Sequence, residues 1–348
     1  MKHEKKEQIL CGSNFSLKSD IIYSEYISKE EFIIQNTKNK QIIFEEKNFV
    51  LYKLTEFELF ENAIIFCNNL ALKSLFKYLN KVTEFKNIKI ITHQTDQLIN
   101  SEIFNLKPDC VSKWFSVNVG YDHPDLVPIP LGLGNDFQNN QINSLDVDKI
   151  NYVDIKRLTP HLYLNFKEST NFNERKNLYD AFNNIPWVKI DSPNLTKIQY
   201  INNLNMSNFV LCPWGNGIDT HRLWESLYYG KIPITKFHHT YSDLTDLPIL
   251  FVEKYEDITE ETLNEYIRVL KNSKLDYTKL NIDTWFDLIR KTKVENFYKL
   301  KIKETYMSCI ISKLQINLQK KLNSKLKIFK YYFKKIKNIN KFITKLIN

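Results

Sequence analysis

The stretch 209–234 holds the residues best suited to chemistry. An apolar run from Phe209 to Cys212 ends in Pro213, Trp214, Gly215, Asn216 and Gly217, and a helix-forming run begins at His221. Asp219 and Thr220 are both good N-caps for that helix. Gly215 and Gly217 leave the backbone without Cβ obstruction, so amide N–H groups can approach a ligand closely. Such amides ahead of a helix N-terminus form an anion site, because the unsatisfied donors and the helix dipole both favour negative charge. Arg222 and Glu225, three apart, share one helix face. A guanidinium forks onto phosphate, and a carboxylate accepts hydroxyl hydrogens, so the pair suits a nucleoside diphosphate and its ribose. The competing reading is an ordinary i, i+3 ion pair on a solvated helix.

The flanking pattern shows what would position these residues. Short apolar runs at 62–67 and 88–92 bracket a stretch, 70–82, with Leu72, Leu75, Phe76 and Leu79 at helical spacing, which is a βαβ signature. Two more extended pieces are expected at 113–119 and 126–131, then a polar interdomain loop at 134–154. Beyond it, strands at 162–166, 187–190, 209–212, 232–235 and 249–252 alternate with helices at 174–182, 196–204, 221–229 and 260–271. The expected fold is α/β, with two Rossmann-like doubly wound domains facing a cleft at their strand C-termini. The expected division is 1–155, 156–300, and a tail at 301–348.

The 348 residues include only 7 Gly, and neither G-x-G-x-x-G nor the Walker pattern occurs. The net charge of +9 first suggests nucleic acid or an anionic membrane. From Thr305 onward, however, there are eleven Lys and no acid, which leaves about −2 on the rest of the chain. Leu314, Leu318, Leu322, Leu326, Phe329, Phe333, Ile336, Ile343 and Ile347 form an apolar stripe on that cationic segment. An interfacial helix on an anionic bilayer is expected. A coiled-coil or core-docking helix is the alternative, and nucleic acid a third reading that the absence of Arg there disfavours.

Five Cys (Cys11, Cys67, Cys110, Cys212, Cys309) stand singly and at no zinc spacing. Together with the lack of a signal-peptide core or an apolar span, this predicts a cytoplasmic protein, peripheral on the inner face of the membrane. Asp146-Val147-Asp148 is a D-x-D without a preceding apolar strand, and His238-His239 lacks further ligands. No metal and no other cofactor is expected.

The segment 209–234 resembles the signature of exostosin-like glycosyltransferases of the GT-B fold, in their bacterial and viral branch. The matching residues are Cys212, Pro213, Gly215, Arg222, Glu225, Gly230, Ile232, Pro233 and Ile234. Looser matches are Leu162 to Phe166 with Glu174 and Arg175, and upstream Thr92 to Asp96, Lys113-Trp114 and Pro128 to Leu133. The resemblance implies transfer of a sugar, with inversion, from a nucleotide-sugar donor, UDP-linked, to a cell-surface or lipid-linked glycan acceptor. It implies that Arg222 neutralises the diphosphate and Glu225 holds the ribose, with Asn165, Arg175, Gly215, Asn216 and Gly217 also on the donor. Trp214 or Tyr228 would stack on the base. A general base from the first domain is also needed; His93 and Asp96, just past a strand end, are the candidates, with Asp122 and His123 as second choice. The helix start Asp219 to Trp224 also resembles the fucosyltransferase donor site, which would use GDP. A non-catalytic membrane scaffold of the same fold is the alternative from a different class.

Overall fold

The computed structural model of the chain describes residues 7–35, 38–138, 140–290, 298–305 and most of 307–325. The first half is built on a seven-stranded sheet. Its strands are β1 (Ile21–Ser28), β2 (Lys40–Glu45), β3 (Phe49–Leu54), β5 (Ile64–Asn68), β6 (Ile88–His93), β7 (Val111–Ser116) and β8 (Leu126–Pro128), while β4 (Glu56–Leu59) stands apart. The order is β2-β3-β1-β5-β6-β7-β8; β1 and β5 to β8 run parallel, and β2 and β3 pair antiparallel at one edge. Every residue of β5 and β6 is buried, as expected of central strands covered on both faces. The helix Leu72–Leu79 buries the four apolar positions that its spacing marks.

The second sheet is all parallel. Its strands are β9 (Leu162–Leu164), β10 (Val188–Ile190), β11 (Phe209–Leu211), β12 (Ile232–Lys236) and β13 (Leu250–Val252), in the order β10-β9-β11-β12-β13. The chain leaves β9 for β10 on one side, then returns to β11 on the other. The carboxyl ends of β9 and β11 therefore flank a topological switch point, where open α/β sheets bind ligands.

Several expectations give way to packing. The helix expected at 174–182 is two short ones, Phe172–Arg175 and Leu178–Ala181, divided at Asn177, whose φ of 65° is left-handed. Asn tolerates that region better than most residues, so the helix breaks there. The stretch 134–154 is polar in sequence yet buries Ile142, Val147 and Val153, and its Ser144–Asp146 turn carries a capping box. Residues 21–54, to which the sequence pattern assigns no strand, supply β1 to β3.

Helix Ile282–Arg290 and the described residues of 298–309 make contacts with the first half. Helix Ile282–Arg290 sets Phe286 against Phe15, with ring centroids 5.9 Å apart, and Arg290 pairs with Asp20. Strand β14 (Leu300–Lys303) then pairs antiparallel with β4. Ser308 and Cys309 are buried, so the folded body runs through Cys309. The described residues of 307–325 are helical, and Leu314, Leu318 and Leu322 are exposed. The other six apolar tail positions, from Leu326 to Ile347, lie outside the described residues.

One hydrophobic cluster holds Phe66, Ile91 and Phe115 from the first sheet together with Tyr163, Val210, Leu223 and Trp224 from the second. The two sheets thus share a core, and helix His221–Tyr228 sits within it.

Candidate functional site

Two chambers meet between the sheets. The larger, of about 320 Å³, lies at the carboxyl ends of β9 and β11 and is lined by Asn165, Arg175, Gly215, Asn216, Gly217, Arg222 and Glu225. The structure therefore brings together all seven expected donor residues. The smaller, of about 260 Å³, lies over the carboxyl end of β6, and Tyr26, Phe44, Phe49 and Phe137 contribute to its wall. Asp96, Leu131 and His221 line both chambers and form the throat between them.

Within the larger chamber the residues divide into those held by the protein and those left open. Arg175, although buried, donates from Nε to the Trp214 carbonyl at 2.9 Å, from Nη2 to the Pro213 carbonyl at 2.8 Å, and from Nη1 to the Lys167 carbonyl and Thr170 Oγ1. Burial, then the Arg222 charge, lowers its pKa to about 10. The expectation of a phosphate-binding Arg175 is thereby corrected: its fork is engaged in shaping the 213–217 loop. Asn165 Nδ2 likewise donates to the Ser192 carbonyl at 2.8 Å.

The glycines serve a purpose that the spacing did not reveal. Gly215 N–H donates to the Gly217 carbonyl at 2.9 Å, so that amide is not open to a ligand. A Cβ at 217 would lie 2.8 Å from Asn118 Nδ2, and Asn118 Oδ1 accepts from the Asp219 amide at 2.8 Å. Gly217 lets the first half brace the loop that opens the helix.

Arg222 is different. Its guanidinium has no hydrogen bond or ion pair among the described residues, and its Nε is buried without a partner. The neighbouring Thr220 is the N-cap residue, yet its side chain makes no cap bond and its Oγ1 is also buried and unpartnered. Buried polar atoms are normally satisfied, and here two orphans stand together beside one uncapped helix start. The i, i+3 ion pair does not form. Glu225 is buried and instead accepts from Tyr200 Oη at 2.8 Å through one oxygen. Net, Arg222 is held above its ordinary pKa: burial opposes its charge, but Tyr200 and Glu225 more than offset that.

Asp219 ties this helix to the first half. Its Oδ2 accepts from the Leu131 amide at 2.9 Å, and both of its oxygens accept from Trp224 Nε1. Burial raises its pKa from 3.8 to about 7 against the pull of these donors. In the unfolded chain Asp219 ionises above 3.8, while in the fold it keeps its proton until about pH 7. The unfolded state then binds fewer protons, and this residue's contribution to stability falls as pH rises through that window, levelling off above 7. Urea denaturation of wild type and Asp219→Asn from pH 4 to 8 should show the difference between them decline with up to one proton's slope and then flatten. A difference independent of pH would contradict this.

The first-half candidates are corrected in part. His93 is buried, its Nδ1 accepts from the Gln94 amide at 2.7 Å, and its Nε2 lies 3.1 Å from the Pro130 carbonyl. A carbonyl only accepts, so Nε2 carries the proton and neither nitrogen has a free lone pair. Burial lowers its pKa to about 3. As a general base His93 fails on both counts. Asp96 is exposed in the throat, with no hydrogen bond or ion pair among the described residues. Asp122 and His123 line neither chamber; the His123 ring packs on Phe104 at 4.5 Å. Tyr228 is fully buried, donating to the Leu280 carbonyl and accepting from the Leu10 amide, so it is core and not a base platform. Trp214 is half-buried and packs edge-on against His238.

Sequence spacing missed His221. Its Nδ1 lies 2.8 Å from the Gly132 carbonyl, a partner from the other half of the chain. The only signal was its place as the first helical residue.

Asp146 of the D-x-D accepts from Lys197 Nζ at 2.8 Å and from the Asn143 amide at 3.0 Å. Among the described residues no group of three His, Cys, Asp or Glu could hold a metal. All five cysteines are free and buried. No helix among the described residues is long and apolar enough to cross a membrane. The chain matches no protein-family model and no curated protein, so the reading of its function rests on the cleft itself.

Proposed function

We propose that this protein is a glycosyltransferase of the GT-B type, taking a nucleotide-sugar donor in the larger chamber and a glycan or lipid-linked glycan acceptor in the aromatic one. The observation that carries the reading is Arg222: an unpartnered guanidinium with a buried Nε, beside a helix N-terminus and at a switch point. A nucleoside diphosphate supplies what the site lacks. Its phosphate oxygens accept from the guanidinium fork and the first-turn amides, and the unbonded oxygen of Glu225 accepts from the ribose. In transfer, negative charge grows on the leaving diphosphate, so these donors favour the transition state over the ground state. On this reading cationic and backbone donors, without a metal, meet that charge. The aromatic rings of the smaller chamber offer flat apolar faces to a sugar ring.

The exostosin resemblance favours UDP over GDP. Calorimetry with each nucleotide tests the reading, with micromolar binding of one of them expected. No heat from either at millimolar concentration would end it and leave the scaffold reading.

The tail adds a location, a cytoplasmic membrane face. Exposed Leu314, Leu318 and Leu322, on a segment with eleven Lys and no acid, suit an anionic bilayer. Because Ser308 and Cys309 are packed, the truncation that spares the body ends after residue 311. Full-length protein should float with vesicles containing a third phosphatidylserine, and the 1–311 form should stay in the bulk phase. Equal flotation would remove the tail from the argument.

A further inference from the structure

We infer that His221 is the general base of the transfer step, an inference that rests on the glycosyltransferase reading and assigns the proton acceptor within it. The expected bases were His93 and Asp96, and the geometry moves the role to a histidine on the opposite wall of the throat. His221 Nδ1 is 2.8 Å from the Gly132 carbonyl. A carbonyl has no proton to give, so Nδ1 carries the ring proton and Nε2 holds the lone pair. Among the described residues nothing bonds to Nε2. The ring is half-buried in the throat that the nucleotide and aromatic chambers share.

The carbonyl that fixes this tautomer is itself fixed. Gly132 has a φ of +70°, and a Cβ there would lie 2.1 Å from the Leu10 carbonyl oxygen, so only glycine fits. The next amide, Leu133 N–H, donates to that same oxygen at 2.8 Å. The adjacent Leu131 amide donates to Asp219, two residues before His221. The segment 131–133 is thus clamped at both ends and holds the imidazole in one orientation. The arrangement matches a base with its orienting partner, in which the second nitrogen's hydrogen bond sets which nitrogen accepts the proton.

In the step itself the acceptor hydroxyl, entering from the aromatic chamber, gives its proton to Nε2. Its oxygen forms a bond to the anomeric carbon of the nucleotide sugar. The bond from that carbon to the diphosphate oxygen breaks, and its electron pair leaves with the nucleoside diphosphate beside Arg222. The imidazolium then releases its proton to water. Water in place of the hydroxyl gives hydrolysis by the same route.

His221→Asn tests this, because Asn Nδ2 can keep the bond to the Gly132 carbonyl while removing the basic atom. Release of nucleoside diphosphate is followed with UDP-glucose, UDP-N-acetylglucosamine and GDP-fucose, using full-length wild type, His221→Asn and Asp96→Asn, from pH 5 to 9. UDP and GDP dissociation constants are measured in parallel. The expected result is a fall in turnover of about 100-fold or more in His221→Asn, loss of the acid limb of the pH–rate profile, and nucleotide affinity within twofold of wild type. Wild-type turnover with an intact acid limb in His221→Asn would overturn the inference. So would loss of that limb in Asp96→Asn alone, or a wild type that binds nucleotide but cleaves none of the three donors. Absence of nucleotide binding is the separate failure, that of the glycosyltransferase reading.

Discussion

Arg222→Ala is expected to weaken UDP or GDP binding by roughly 100- to 1000-fold while leaving the melting temperature within about 2 °C of wild type. Truncating one partner of a buried, hydrogen-bonded charge pair costs about 2–5 kcal/mol in binding, and each 1.4 kcal/mol is tenfold. The binding loss follows from the ligand, since the phosphate would lose its guanidinium partner. The thermal result follows from the free protein, where Arg222 makes no hydrogen bond or ion pair among the described residues, and where the pull of Tyr200 and Glu225 on its charge is set against the cost of burying it. An ion-pair role predicts the opposite combination, with stability lost and nucleotide affinity untouched. Arg222→Lys sharpens the contrast, because it keeps the charge but loses the two-pronged geometry. Its affinity should lie between those of wild type and Arg222→Ala. Calorimetric titration and a thermal melt of the three proteins decide the matter. Arg222→Ala with wild-type affinity would remove the guanidinium from the site.

The two halves of the cleft were legible to different degrees, and the reason is the range of the interactions that build them. The 209–234 segment is local: strand, loop, helix and strand follow one another, and periodicity with a few glycines shows them all. The residues that line its chamber were readable for the same reason. What each does was not, because that depends on partners far away in the chain. Arg175 is turned inward by carbonyls at 213 and 214. Gly217 answers to Asn118. His93 sits at the strand end that its sequence marks, but Gly12 lies directly against it: a Cβ there would be 3.1 Å from Nδ1. That N-terminal segment, together with Phe15, buries the ring. His221 gains its orientation from a carbonyl 89 residues away. Of the strands β1 to β3, only β2 lies at the sheet edge, where half-exposed positions dilute the apolar pattern; β1 and β3 carry Ser24, Glu25 and Lys53 at buried positions, which break the apolar run expected of inner strands.

The largest stability effect is expected far from the cleft, at Lys53. Its ammonium is fully buried and bonds to Glu304, which is almost as buried. Burial works to raise the Glu304 carboxyl, but the hydrogen bond and charge of Lys53 more than reverse it, leaving the carboxyl below its ordinary range. Lys53→Met leaves that carboxylate buried without its cation, and such a change costs about 3–5 kcal/mol. Lys53→Met with Glu304→Leu removes both charges and should recover most of the loss, since two apolar side chains pack where two ions had to be desolvated. Urea denaturation of wild type, both single variants and the double variant gives the coupling directly. Additive losses would mean that the pair is not the tether it resembles. The consequence reaches the tail, because Ser308 and Cys309 also bond to Glu304 and close the folded body there. If the tail holds the protein to a bilayer, this buried pair fixes the exit point of the tail on the first half. Lys53→Met should then loosen residues 300–309, giving faster amide exchange there than in β9 to β13, which Lys53 does not touch. Equal exchange in both regions would make the loss global and separate the tether from the tail.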